Sequence, residues 1–149
     1  IAATLLVAGA AAGAAPRLGP DYRAHRALLE AMQSIGAHEQ RLAEEGKRLG
    51  DQQKAGALSR DDGIVILERM LDAYRPIDTR LHDIRPRPAA LKDRQALLVQ
   101  FVALRQEGIA LLIEAERQQD EALAERGKER LNAGNALVAE MLKPFSWHD

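Results

Sequence analysis

The sequence predicts an all-α fold, an up-and-down four-helix bundle preceded by a hydrophobic membrane-type or signal segment. Three observations predict it. Hydrophobic residues make up 46% of the chain but aromatics only 3%, so the core has to be built from aliphatic side chains, which suit helices better than strands. Apolar residues recur at alternating steps of three and four along four separate stretches, the period of a helix face. Turn-forming runs separate those stretches: Gly50 to Gly56, Arg85 to Pro88, and Gln118 to Asp120. At 149 residues there is room for one ordinary domain, expected over residues 16–149 after a leading segment, 1–15.

That leading segment, Ile1 to Ala15, carries no charge and stops at Pro16-Arg17. As a helix it would reach about 22 Å, short of a hydrocarbon core of roughly 30 Å. It opens without Met, so coding sequence upstream is expected. Two readings stay open: the tail of a transmembrane helix, or the end of a signal peptide with Ala12-Gly13-Ala14 as a small-x-small cleavage site. Arg17, Arg23 and Arg26 follow closely, and such flanks are usually cytoplasmic. The signal-like run argues for the extracytoplasmic side, which is the placement expected here.

The first stretch, from Asp21, sets Leu28, Met32, Ile35, Leu42 and Leu49 on a narrow seam, with Glu39 and Gly46 in the two places where apolar residues are missing. Gly36, Gly46 and Gly50 each lower helix propensity by roughly 1 kcal/mol against Ala. Close backbone packing is the expected reason for them. The second stretch opens at Ser59-Arg60-Asp61-Asp62, a cap followed by acidic residues in the positive first turn. Leu67, Met70, Leu71, Tyr74, Ile77, Leu81 and Ile84 form its seam, and Pro76 inside it predicts a kink near Arg75.

Arg85-Pro86-Arg87-Pro88 is the clearest break, and a third helix is expected from Pro88. Its apolar surface is the broadest, so Leu98, Phe101 and Leu112 are expected to be fully buried. Asp120 is placed to cap a fourth helix with a seam of Leu123, Gly127, Leu131, Gly134, Val138 and Met141, ended by Lys143-Pro144. Without a turn at Gln118-Asp120, the last two stretches would make one helix of roughly 80 Å, too long for the first two to cover.

Candidate chemistry is sparse. His25, His38, His82 and His148 lack the three- or four-residue spacing of a helical metal pair. Asp78 and His82 share a face at i, i+4, which a surface hydrogen bond explains. Met32, Met70 and Met141 invite comparison with haem ligands but all sit on apolar seams, where a thioether fills gaps. Ser34, Ser59 and Ser146 lie in no GxSxG or SxxK pattern, and there is no cysteine. Glu114, Glu116, Asp120 and Glu121 are expected on solvated faces near Arg117 and Arg126. No catalytic residue, cofactor or metal ligand is therefore predicted. A net charge of −1 with interleaved signs gives no field for nucleic acid. The basic group Arg80, Arg85, Arg87, Lys92 and Arg94 around the proline turn is diluted by Asp78, Asp83 and Asp93; it reads as a solvated loop or as a contact for anionic lipid or an acidic partner. The tail Phe145-Ser146-Trp147-His148 is expected to fold back onto the bundle end, the alternative being an anchor at an interface, where Trp is enriched.

The stretch Tyr22 to Met141, with the membrane-type lead-in, the Tyr74-Arg75-Pro76 kink and Arg94-Gln95-Ala96-Leu97-Leu98 entering the third helix, resembles helical extensions that follow the membrane core of some bacterial rhomboid-type intramembrane proteases. The resemblance implies an accessory domain. The Gly-x-Ser-x motif and catalytic His of that family have no counterpart here, so it transfers no catalytic residue. A membrane-proximal bundle also resembles the ligand-sensing module of bacterial chemoreceptors, and a periplasmic four-helix haem or metal carrier is the third class. The expectation is a non-catalytic, membrane-tethered helical interaction domain. Its expected partners are the membrane, through the N-terminal segment, and a protein partner or a second copy through the first seam.

Overall fold

A computed structural model describes residues 19–144 of the chain, and all the regular structure in that range is helical. Four helices follow one another: α1 (Pro20–Lys54), α2 (Arg60–Asp83), α3 (Ala89–Gln118) and α4 (Glu121–Met141). The apolar run Ile1 to Ala15 and the tail Phe145 to His148 lie outside the described residues.

Local chemistry accounts for where each helix starts and stops. Ser59 caps α2 in a reciprocal box: the Asp62 N–H donates to Ser59 Oγ at 3.2 Å, and the Ser59 N–H donates to Asp62 Oδ2 at 3.3 Å. Such a cap contributes about 1 kcal/mol. Pro76 stands inside α2, which runs as one helix through it. Pro88 precedes the first turn of α3 with φ −60, where a missing N–H costs nothing. Gln119 ends α3 in the left-handed region at φ 56, and Asp120 then takes the N–H groups of Ala122 and Leu123 at 2.8 and 3.2 Å to open α4. The turn expected at Gln118-Asp120 is thus present.

Cross-helix bonds show α2, α3 and α4 running antiparallel in turn, and the short 55–59 connection turns α2 back along α1. His38 and Glu39 of α1 meet Met70 and Tyr74 of α2; Gln95 and Arg117 of α3 meet Leu81 and Glu68 of α2; Arg94 and Arg105 of α3 meet Met141 and Leu131 of α4. Helix α3 packs against all three others, while α1 reaches α2 and α3 but makes no close backbone approach to α4. The four helices therefore form a bundle around α3 rather than a closed square. Of the described helices, α3 alone is long and apolar enough to cross a membrane, with a mean hydropathy of 1.6 over its best window. Part of that apolar surface faces the three helices packed against it.

The core is Leu28 and Ile35 of α1, Tyr74, Ile77 and Leu81 of α2, Leu91, Leu98, Phe101, Val102, Ile109 and Ile113 of α3, and Met141 of α4. Leu98 and Phe101 are fully buried as expected, but Leu112 is only half-buried. The correction follows from the packing of α4: Leu112 is set against Gly127, which has no side chain to lie over it. The expectation for the glycines of α1 also fails at Gly46 and Gly50, which have nothing within 4 Å of a would-be Cβ. Close approach occurs instead between α3 and α4. A Cβ on Gly108 would stand 3.0 Å from the Gly127 carbonyl oxygen, and one on Gly127 would stand 3.0 Å from that of Gly108.

Candidate functional site

The most concentrated chemistry of the described residues is a polar cluster inside the bundle, drawn from all four helices. Its centre is Arg105. The alternation that puts Leu91, Leu98 and Phe101 of α3 inward carries Arg94 and Arg105 inward with them, so two guanidinium groups occupy seam positions. Helix α1 offers the complement, because Glu39 holds a seam place where the period calls for an apolar residue. Arg105 Nε donates to Glu39 Oε1 at 3.0 Å and Nη2 to Glu39 Oε2 at 2.7 Å, a two-point grip that matches the planar fork to the carboxylate. The same guanidinium reaches α4, donating from Nη1 to the Leu131 carbonyl at 2.8 Å and from Nη2 to Asn135 Oδ1 at 2.7 Å. Its Cζ also sits 4.7 Å from the centre of the Phe101 ring, within range of a cation–π contact.

Tyr74 of α2 completes the cluster by donating its hydroxyl to Glu39 Oε1. The ring is wholly buried. Burial, and then the neighbouring Glu39 carboxylate, push the phenol well above its ordinary value, so Tyr74 stays a neutral donor. His38 packs its ring edge-on against Tyr74 at 4.4 Å, with Nε2 3.3 Å from the Met70 carbonyl oxygen. A carbonyl only accepts, so Nε2 carries the proton of that contact. Burial, the largest influence, pulls the His38 imidazole below its ordinary value; the Met70 carbonyl opposes this.

A second guanidinium is spent at the end of α4. Arg94 donates from Nη1 to the carbonyls of Glu140 at 3.3 Å and Met141 at 2.6 Å, and from Nη2 to that of Lys143 at 2.7 Å. The last carbonyls of a helix lack intrahelical donors and attract cations. Burial draws Arg94 below its ordinary value, against the pull of Glu140. The next residue, Gln95, serves α2 in the same way, donating Nε2 to the carbonyls of Leu81 at 2.6 Å and Ile84 at 3.0 Å. Arg94 thereby leaves the basic group expected around the proline turn. Arg80, Arg85, Arg87 and Lys92 of that group remain exposed.

The remaining residues singled out in the sequence stay apart. His82 Nδ1 lies 2.9 Å from the Asp78 carbonyl oxygen and 3.3 Å from its Oδ1, on an exposed surface. Met141 is buried, and Met32 and Met70 pack half-buried against the core. Asp120 is a helix cap, and Glu114 lies beside Arg117 at the surface. His148 and Ser146 lie outside the described residues. Among the described residues no three acidic or imidazole side chains gather as a cation site. Sequence reasoning did not single out Arg105 and Asn135, and it placed Arg94 in the basic turn rather than at the end of α4. The signal that could have found the first was Glu39 in the α1 seam, which requires a cationic seam residue on a facing helix. The chain matches no protein-family model, and no curated protein or solved structure shows significant similarity to it.

Proposed function

We propose that the chain is a non-catalytic helical interaction domain, an up-and-down bundle held at a membrane by residues 1–15 and displayed on the extracytoplasmic side. One observation carries the non-catalytic part. The most reactive groups of the interior, Arg105, Glu39 and Tyr74, are bonded to one another and to the backbone across the helices, an arrangement that fixes helix positions and leaves neither a base nor a nucleophile poised over a cleft. The tether rests on the uncharged run Ile1 to Ala15 directly ahead of α1. The resemblance to extensions of rhomboid-type proteases supports an accessory role beside a membrane enzyme.

The test uses the full chain expressed in a bacterial host. After an alkaline wash it should stay in the membrane fraction, and protease added to spheroplasts should degrade the bundle. Release into the soluble fraction would overturn the tether. Hydrolysis of peptide or ester substrates above background by the purified full chain would overturn the non-catalytic assignment.

A further inference from the structure

The bonds of Arg94 and Gln95 to the ends of α4 and α2 bring the α2–α3 turn and the end of α4 to one pole of the bundle, and the short 55–59 connection, which joins α1 to α2 at the other pole, puts the start of α1 here as well. The sequence alone scatters these segments over more than a hundred positions. Charge is divided unequally between the two poles. Near this pole, residues 19–30, 76–94 and 138–144 hold eight Lys or Arg against six Asp or Glu; near the far pole, residues 44–65 and 111–127 hold six against ten.

Half of the near-pole cations are engaged within the protein and half are not. Arg26 and Lys143 are paired with Glu30 and Glu140 at 3.0 and 2.5 Å, but Arg80, Arg87 and Lys92 are exposed and form no ion pair among the described residues. Arg85 is exposed as well, its guanidinium lying on the carbonyls of His82 and Ile84. The apolar run joins the bundle at this same pole. Residues 16–19 can span at most about 14 Å, little more than the roughly 8 to 10 Å over which charges interact in physiological salt.

We infer that this pole is a lipid-facing surface: Arg80, Arg85, Arg87 and Lys92 lie on anionic phospholipid headgroups and stand the bundle on the membrane, with its acidic far pole directed away. The inference rests on the tether proposed above and adds to it a surface, a lipid class and an orientation. Charge complementarity selects the occupant, since basic residues at a membrane surface each contribute about 1 kcal/mol with anionic lipid, a factor of about five. The exposed Asp83 and Asp93 offset part of this.

The experiment floats the full chain with vesicles of phosphatidylcholine alone or with about 30% phosphatidylglycerol as the anionic component. The anionic vesicles should bind about tenfold more tightly, and roughly 0.5 M salt should remove the difference. Substituting Arg80→Gln, Arg85→Gln, Arg87→Gln and Lys92→Gln together should abolish the preference. A control with Lys47→Gln, Lys54→Gln, Arg69→Gln and Arg126→Gln in the far half should keep it, with circular dichroism showing both variants helical. Equal binding of the parent to both vesicles overturns the inference and leaves the tether standing, as does equal loss of preference in both variants. Salt-sensitive binding to anionic vesicles alone supports the basic pole and removes the apolar tether. Binding to neither overturns both.

Discussion

Helices α3 and α4 meet across facing glycines, with backbone oxygens where side chains would otherwise stand, whereas α1 beyond Glu39 meets α2 through side chains that stay half-covered. No described residue between Leu42 and Ala73 is fully buried. Leu42, Ile64, Leu67 and Met70 pack against the core from its edge. Both regions are aliphatic and amphipathic, so composition does not separate them. What separates them is how near the backbones come, and that depends on where the small residues fall. Gly108 and Gly127 fall at a helix crossing; Gly46 and Gly50 fall on an outer face. Identical residues therefore contribute in opposite directions, allowing a contact in one place and only loosening a helix in the other.

The largest effect is expected in the core around α3. Truncating Leu98 to Ala should cost about 2 to 5 kcal/mol in a urea melt. The same change at half-buried Leu112 should cost no more than about 2 kcal/mol, because less apolar area returns to water. Equal costs at the two positions would mean that α4 covers α3 more completely than the contact at Gly127 implies.

Next in size is the strut between the two regions. Glu39→Ala removes the partner of Arg105 and the acceptor of Tyr74 together. A buried cation left unpaired costs about 3 to 5 kcal/mol; with 29% of the Glu39 side chain exposed against 9% for Arg105, roughly 2 kcal/mol is the expected loss. The double variant Glu39→Leu with Arg105→Met should recover much of it, since an apolar pair leaves no charge stranded. Failure of that rescue would assign the loss to the bonds with Leu131, Asn135 and Tyr74 rather than to the ion pair.

The glycines give a smaller test whose two halves differ in sign. Gly127→Ala puts a methyl group 3.0 Å from the Gly108 carbonyl oxygen, so thermal unfolding should show a loss of about 1 to 3 kcal/mol. Gly46→Ala meets open space and should raise stability by up to about 1 kcal/mol. If both changes stabilised the protein, α3 and α4 would not approach as closely as these distances state.

The smallest effect concerns acid. The folded state holds His38 below its ordinary value of 6.5, so in that range the unfolded chain binds more protons and stability must fall as the pH is lowered. The loss begins as pH drops through about 6.5 and stops growing below the folded value. His38→Gln should flatten this part of the profile of melting temperature against pH. An unchanged slope would place the acid sensitivity in groups other than His38; Asp62, whose carboxyl the Ser59 hydroxyl holds below its usual range, loses its contribution only at lower pH, below about 4.

The sequence by itself determined the number of helices and most of their ends, because caps, prolines and turn residues act on the few residues beside them. Ser59, Pro88 and Asp120 did what local chemistry requires of them. It also determined the inward faces of α1, α2 and α3 where the period was regular. Tertiary structure decided which helices touch, which glycines face a backbone, that Leu112 stays half-open, and that the Arg at a seam position becomes a strut to Glu39, Leu131 and Asn135. Sixty-six positions separate Glu39 from Arg105. A seam position shows only that a side chain turns inward, whereas a partner for its charge exists only once the helices have chosen their neighbours, and that choice depends on backbone approach summed over whole helix faces.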